Sequence, residues 1–564
     1  LNYDYTERML KVHTHFRNFL GGILKLLGLP LLLSWLIANT EISSAGQTPY
    51  FLDWLLIMLG FMGMTVSTLM LFRFGNGHIH FEPRPVRLVD MGSYARTRHP
   101  NFWFFQIYLL GILLLYLGLH SLAMILWVTF IISGFLFLRF IQEPILRKHL
   151  GPAYAEYQKA VPLLYWKLRI PENRKVHFLA LMVWFASRTV FRYWYHIKVK
   201  GTEHIPHSKP LLVIANHECF LDPFLFGIFI PFELRFVTTA DVFSTPLMRL
   251  LLKGIGTFPM RRHRQDLTSI RTMIRMVKQG QVVGIFPEGG RSLYGEPLPI
   301  LKETLKLIQA CKVPILPVHL DGAYEIWPRW APNRRRGRVQ VTINPVIPVA
   351  AQSDLGRLEE IISESIFSPE KQFATIRSGS VAQGMEKLIW GCIHCRSLNS
   401  ITLDSGNQIS CRSCQSQWQV QNNYHLTDLR TGGTLSLIEW MHQIEDGLLD
   451  KAPLPELPLR LPSAERAYLF TRIGKYQPEE GDTIQGDLGL VLTDKRFILI
   501  RDDQEWIDWS IESVTVFTMD YFNAVSIGVK GLRHSFFLPP SEVTLKWQTF
   551  YEAIRDHSIQ LDRK

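Results

Sequence analysis

Residues 216–223, NHECFLDP, set His217 and Asp222 five positions apart, directly after the apolar run PLLVIA. That pair of side chains suits proton abstraction: imidazole is the usual base near neutral pH, and a carboxylate can fix its tautomer and steady the imidazolium. By itself the pattern is equally a polar loop at a strand end. Five residues do not bring both side chains to one face of a regular helix, so a turn must intervene. Cys219, inside the same block, reads as a small space-filling residue rather than a nucleophile. Further along, GTFPMRR (256–262) ends in Arg262, and FPEGGRS (286–292) holds Glu288, Gly289, Gly290 and Arg291. Arginine offers the planar, multidentate donor set that a phosphate monoester calls for. The glycines would let backbone N–H groups come close to that phosphate.

Two more groups could do chemistry. CIHC (392–395) and CRSC (411–414) place Cys392, Cys395, Cys411 and Cys414 in paired Cys-x2-Cys spacing. Four thiolates with no open position fit a tetrahedral structural Zn2+. Near the amino terminus, Arg98, His99 and Glu143 are ionisable residues at the edges of apolar stretches, where a functional role competes with simple anchoring.

The elements that must position these groups fall into several regions. At 564 residues the chain is too long for one core. Apolar stretches at about 16–38, 50–72, 102–119 and 121–141 each approach the ~20 residues a helix needs to cross a bilayer. Lys and Arg collect before the first stretch, between the second and third, and after the fourth, while the other two connections have none. That alternation predicts a multi-pass integral membrane protein with both termini and the globular part on the cytoplasmic side. A fifth stretch, 176–197, has basic flanks and several aromatics, and reads as an interfacial helix.

From about residue 198 the pattern becomes strand–helix alternation. Short buried strands are expected at 210–216, 234–240, 282–289 and 314–320, with helices at 266–280 and 301–310. This is an α/β domain whose polar clusters sit at strand ends. The run NRRRGR (333–338) reads as a solvated or lipid-facing patch. After the cysteines, a Pro-rich linker (452–462) leads to strands at 489–500, 505–517, 524–529 and 534–538 and an amphipathic helix at 545–556. The formal charge of +12 suits an anionic partner. With membrane spans present, that partner is a phospholipid surface or phosphorylated substrate rather than nucleic acid.

Taken in order, Asn-His-x4-Asp, the segment ending in Arg262, FPEGGRS and the ILPVHLDG block (315–322) resemble the glycerophospholipid acyltransferase family, most closely its 1-acylglycerol-3-phosphate members. The resemblance spans roughly 175–370. It implies transfer of a fatty acyl group from acyl-CoA or acyl-ACP to the hydroxyl of a lysophosphatidate-like acceptor. His217 and Asp222 would be catalytic, and Arg262, Glu288, Gly289, Gly290 and Arg291 would bind substrate. Where the family usually has Thr, this chain has Gly290.

GSYARTRHPNF (92–102) and QEPILRKHLGPAYAEYQKAVP (142–162) resemble the isoprenylcysteine carboxyl methyltransferase and phospholipid methyltransferase family over about 50–165. That resemblance implies S-adenosylmethionine bound through Arg98, His99 and Glu143. The family's acidic pair is Gln142-Glu143 here. The last part, with LTDKRFIL, resembles a GRAM/pleckstrin-homology-like barrel, which implies lipid or partner binding by analogy.

The expected layout is therefore multi-domain: an α-helical transmembrane bundle (1–170), an α/β acyltransferase domain with a leading interfacial helix (171–370), a four-cysteine zinc ribbon (385–425) and a β-rich PH/GRAM-like domain (460–564). Partners would be a membrane phospholipid or lysophospholipid and, with the second donor, an acyl carrier protein. Two other readings fit the same residues. One is a membrane lipid methyltransferase whose acyltransferase portion modifies a lipid other than phosphatidate. The other is a lipid-tethering scaffold with an inactive amino-terminal portion.

Overall fold

The structure, a computed structural model, describes residues 50–561 except 76–86, 118–120, 172–173, 177, 207–209, 240–242, 244, 247–248, 250–251, 253–256, 261–266, 369–375 and 521–522. The expected first span (16–38) and Arg262 lie outside the described residues. Helices Tyr50–Phe74, Pro100–Leu117 and Ser121–Phe137 cover the other expected spans. By length and composition, Phe51–Phe74 and Ser121–Ala160 are sufficient to cross a membrane, whereas the apolar Pro100–Leu115 is shorter. The first two of these helices approach very closely. A Cβ on Gly60 would fall 2.4 Å from the backbone nitrogen of Tyr108, so glycine is what lets the two backbones meet.

Helix Phe178–Trp194 turns Leu181, Trp184 and Ser187 inward and leaves Phe185, Val190, Tyr193 and Trp194 exposed. Its inner face bridges two regions. The Trp184 ring meets Phe72 of the first apolar helix edge-on at 5.7 Å, and its indole N–H donates to Ile228 O at 3.0 Å.

The α/β region is built on a mixed sheet of β1 (Lys198–Lys200), β2 (Leu211–Ala215), β3 (Leu234–Thr239), β4 (Phe258–Met260), β5 (Val282–Ile285), β6 (Ile315–Asp321) and β7 (Gln340–Ile343). Their order across the sheet is β1-β7-β6-β2-β5-β3-β4. β2 runs parallel to β5 and β6 and is fully buried, which accounts for its uninterrupted apolar sequence. Strands β2, β3, β5 and β6 and helices Leu267–Lys278 and Lys302–Cys311 lie where the sequence put them. The short strands β1, β4 and β7 carry no such signal.

The carboxyl-terminal part holds a five-stranded antiparallel sheet spanning Ile401–Ser436, which extends past residue 425. Two four-stranded antiparallel sheets follow, together with helix Thr544–Leu561, whose Trp547, Phe550 and Tyr551 are buried. A single apolar core runs from Leu293, Tyr324 and Trp330 of the α/β region through all of these sheets.

One expectation fails here. Arg335 is not part of a solvated patch: it is 5% exposed, donates to Val381 O at 2.8 Å and to the Tyr424 hydroxyl, and stacks on the Trp330 ring. Its neighbours Arg334, Arg336 and Arg338 are exposed as expected.

Candidate active site

The site forms where β2 and β5 end side by side. Ile214 is paired with Ile285, so the loops that follow leave the sheet together although they lie 71 residues apart in sequence. Asn216 ties the end of β2 to β6: its side-chain oxygen accepts from Leu320 N at 2.7 Å and its amide donates to Leu320 O at 2.9 Å. His217 then projects at the loop, one fifth exposed.

The turn inferred from the five-residue spacing is present. The chain bends at Cys219, and a short helix starts at Asp222 with Pro223 in its first turn. Asp222 is fully buried. Its Oδ2 accepts from His217 Nδ1 at 2.8 Å and from the backbone N–H groups of Glu218 at 2.6 Å and Cys219 at 2.9 Å. With Nδ1 donating to the carboxylate, Nε2 is the nitrogen through which the ring can accept a proton. The Cys219 thiol donates to Asp222 Oδ1 at 3.1 Å, and burial beside that carboxylate pushes its pKa well up. A thiol held protonated is a poor nucleophile, in line with the space-filling reading.

The loop after β5 grips the His217 backbone from both sides. Glu288 Oε1 accepts from His217 N at 2.7 Å, and Ser292 N donates to His217 O at 3.0 Å. The second Glu288 oxygen accepts from Leu298 N at 2.9 Å. Glu288, expected among the substrate-binding residues, is thus a 4% exposed brace between two loops. Burial pushes its carboxyl up to about 8, against the lowering effect of the two N–H bonds. Phe286 stacks on the His217 ring at 4.0 Å and 17°, a contact that positions the imidazole plane and that sequence reasoning did not assign. The signal was the Phe directly after an apolar strand.

Gly289 has φ +67°, and a Cβ there would lie 2.4 Å from Leu301 Cδ1. Its own N–H donates to Phe286 O at 3.2 Å, closing the turn. The expected donation from this N–H to a phosphate is therefore not what the turn provides; glycine is required by the backbone. Gly290 and Arg291 are half-buried at the tip of the same loop, bracketed by the contacts to His217.

The amino-terminal residues also converge. Glu143 is 2% exposed, with Oε1 3.0 Å from Arg98 Nε and 3.4 Å from His99 Nε2, and Oε2 accepting from Gln158 Nε2 at 3.2 Å. The four cysteine sulfurs lie within 4.8 Å of one another, with Cys392–Cys414 and Cys395–Cys411 each at 3.7 Å. Zn–S bonds of about 2.3 Å in a tetrahedron require sulfurs about 3.8 Å apart, so this cluster fits the ion.

Residues 196–321 match the family described as Acyltransferase. The 1-acyl-sn-glycerol-3-phosphate acyltransferase of Bacillus subtilis (strain 168) is 28% identical over 127 residues, 22% of this chain and 63% of that protein. The chloroplastic 1-acyl-sn-glycerol-3-phosphate acyltransferase BAT2 of Brassica napus is 28% identical over 179 residues, 31% of this chain and 51% of that protein. The alpha form of Homo sapiens is 24% identical over 225 residues, 38% of this chain and 76% of that protein. The chain spans less than two thirds of the first two of these relatives. Residues 196–321, which hold His217, Asp222, Glu288 and Arg291, are a domain of the acyltransferase type.

Proposed function

We propose that this domain transfers a fatty acyl group from an acyl-CoA or acyl-ACP thioester to the hydroxyl of a lysophosphatidate-like acceptor at a membrane surface. The observation that carries the reading is the His217–Asp222 pair held against the loop that bears Arg291. His217 Nε2 takes the hydroxyl proton as the acceptor oxygen attacks the thioester carbonyl. The carbon–sulfur bond then breaks, and the proton leaves with the thiol. Asp222 supplies the negative charge that steadies the imidazolium, and Arg291, with Arg262, binds the acceptor phosphate.

The exposed aromatic face of helix Phe178–Trp194 supports a site that works at the lipid interface. Tyr193 and Trp194 stand out from it, and the Arg336 guanidinium lies 4.3 Å over the Trp194 ring. Side chains of this kind sit at headgroup level. The apolar helices then serve as the membrane anchor, with the α/β region on the cytoplasmic side. Cys392, Cys395, Cys411 and Cys414 hold a structural Zn2+, and the β-rich end is a PH/GRAM-like lipid- or partner-binding module.

For the amino-terminal portion the resemblance implies S-adenosylmethionine. The residues do not fit that cofactor as they stand, because the Glu143 carboxylate is buried against Arg98, His99 and Gln158 rather than turned toward a ligand. This portion then serves as an anchor.

The test is acylation by the full chain in lipid vesicles, with labelled acyl-CoA and acyl-ACP offered to lysophosphatidate and to monoacylglycerol. Transfer to lysophosphatidate well above monoacylglycerol is expected. Equal use of the two would remove the phosphate from the reading.

A further inference from the structure

The four-cysteine region does more than pack beside the α/β domain, because its contacts converge on the loop that carries Arg291. Tyr324, fully buried, is the hub. Its backbone N–H donates to Glu218 Oε2 at 2.9 Å, next to His217, and its hydroxyl donates to Leu293 O at 3.0 Å, two residues beyond Arg291. Tyr424, from the turn between two strands of the cysteine-bearing sheet, meets the Tyr324 ring edge-on at 6.0 Å and the Trp330 ring at 5.5 Å. The Tyr424 hydroxyl donates to Glu325 O at 2.8 Å and accepts from the buried Arg335.

A second link runs along the surface. His442, on helix Leu437–Glu445, pairs with Glu296 at 2.8 Å and meets the Tyr294 ring at 6.4 Å. Glu296 and Tyr294 belong to the same loop, which continues to Leu298, whose N–H holds Glu288 and through it the His217 backbone. The loop is thus clasped at Leu293 and again at Glu296, each time through residues tied to the carboxyl-terminal part.

We propose that the four-cysteine region, with the helix Leu437–Glu445 that follows its sheet, is a positioning element for the acyl-transfer site, with Tyr424 and His442 as positioning residues that hold the 291–298 loop in its acceptor-binding conformation. Binding of the acceptor by this loop rests on the function proposed above; the loop-holding role does not. Loosening the clasp lowers the fraction of molecules with a competent loop, and apparent affinity falls by that fraction. The acceptor KM should rise while kcat and the donor KM hold.

The experiment uses the full chain in lipid vesicles carrying Tyr424→Phe, His442→Ala or both. Backbone amide exchange over residues 292–298 should speed up in each variant, with exchange in β2 and β5 unchanged. In the double variant the acceptor KM should rise about tenfold, the size expected for loss of roughly one hydrogen bond, with kcat within about twofold. His442 is half-exposed, so His442→Ala decides the matter alone if Tyr424→Phe fails to fold. Wild-type exchange rates in this loop would overturn the proposal, as would a fall in kcat with KM unmoved. If wild type does not acylate lysophosphatidate, the functional reading fails and the exchange measurement still decides the clasp.

Discussion

Asp222 Oδ2 lies 2.8 Å from His217 Nδ1, and that one oxygen also accepts the N–H groups of Glu218 and Cys219. The carboxylate therefore does two jobs. It orients the imidazole and it closes the turn that brings the imidazole to the loop.

Substituting the two residues should separate these jobs. His217→Ala should lower acyl transfer by ~10²–10⁴-fold with little change in thermal midpoint, since the ring is partly exposed. Asp222→Asn should lower both, because buried N–H donors lose a charged acceptor at about 1.5–3 kcal/mol. Turnover above a tenth of wild type in His217→Ala would falsify the general-base role.

Arg291→Lys keeps the charge but loses the planar fork. Acceptor affinity should drop by ~1–3 kcal/mol, read as a rise in the lysophosphatidate KM. An unchanged KM would move phosphate recognition away from Arg291.

Glu288 gives a pH signature. Its folded pKa, about 8, is raised above the usual carboxyl value of 4.5 by burial. The native state therefore binds more protons than the unfolded chain between those values, and stability falls as pH rises through that window. Glu445, raised to about 7 by burial, acts in the same direction. The thermal midpoint should decline from about pH 5 to pH 8, and Glu288→Gln should flatten the decline. An identical slope in the variant would mean that the brace does not titrate there.

How much of this the sequence disclosed depends on the kind of signal. β2 and β5 are fully buried and read as unbroken apolar runs, so the ends that carry His217 and Glu288 were legible. β1 and β4, only three residues each, leave no periodicity to read, and four-residue β7 little more. The His217–Asp222 contact was visible as spacing plus residue type. The inward turn of Glu288 was not, since nothing local says that its partners are backbone N–H groups of His217 and Leu298. Arg335 was misplaced because a run of arginines looks alike along its length. What singles it out is Tyr424, 89 residues away.

Metal removal should act through the carboxyl-terminal core. Cys392 and Cys411 are fully buried in the apolar cluster that also holds Trp390, Trp418 and Tyr424. With Zn2+ bound, its affinity is folding energy. A strong chelator should lower the thermal midpoint and release about one zinc per chain, and Cys392→Ser should reproduce the shift. A thermal midpoint unmoved by the chelator, with no zinc released, would exclude the ion.

The amino-terminal portion offers the sharpest choice between anchor and enzyme. In the buried cluster Glu143 is the one carboxylate, facing Arg98 at 3.0 Å, His99 at 3.4 Å and the more distant Arg139 at 3.9 Å. Removing it strands the largely buried Arg98 guanidinium, which costs on the order of 3–5 kcal/mol in buried pairs. Glu143→Ala should therefore loosen the helix packing and lower the thermal midpoint. A cofactor-binding carboxylate would behave differently: its loss would relieve a crowded site and weaken a ligand. Calorimetric titration with S-adenosylhomocysteine distinguishes the two. As an anchor, the protein should show no heat of binding, either in wild type or in Gln142→Glu, where the first acidic position of the pair is restored. Binding that tightens in Gln142→Glu and vanishes in Glu143→Ala would reverse the assignment and make residues 50–165 a methyltransferase.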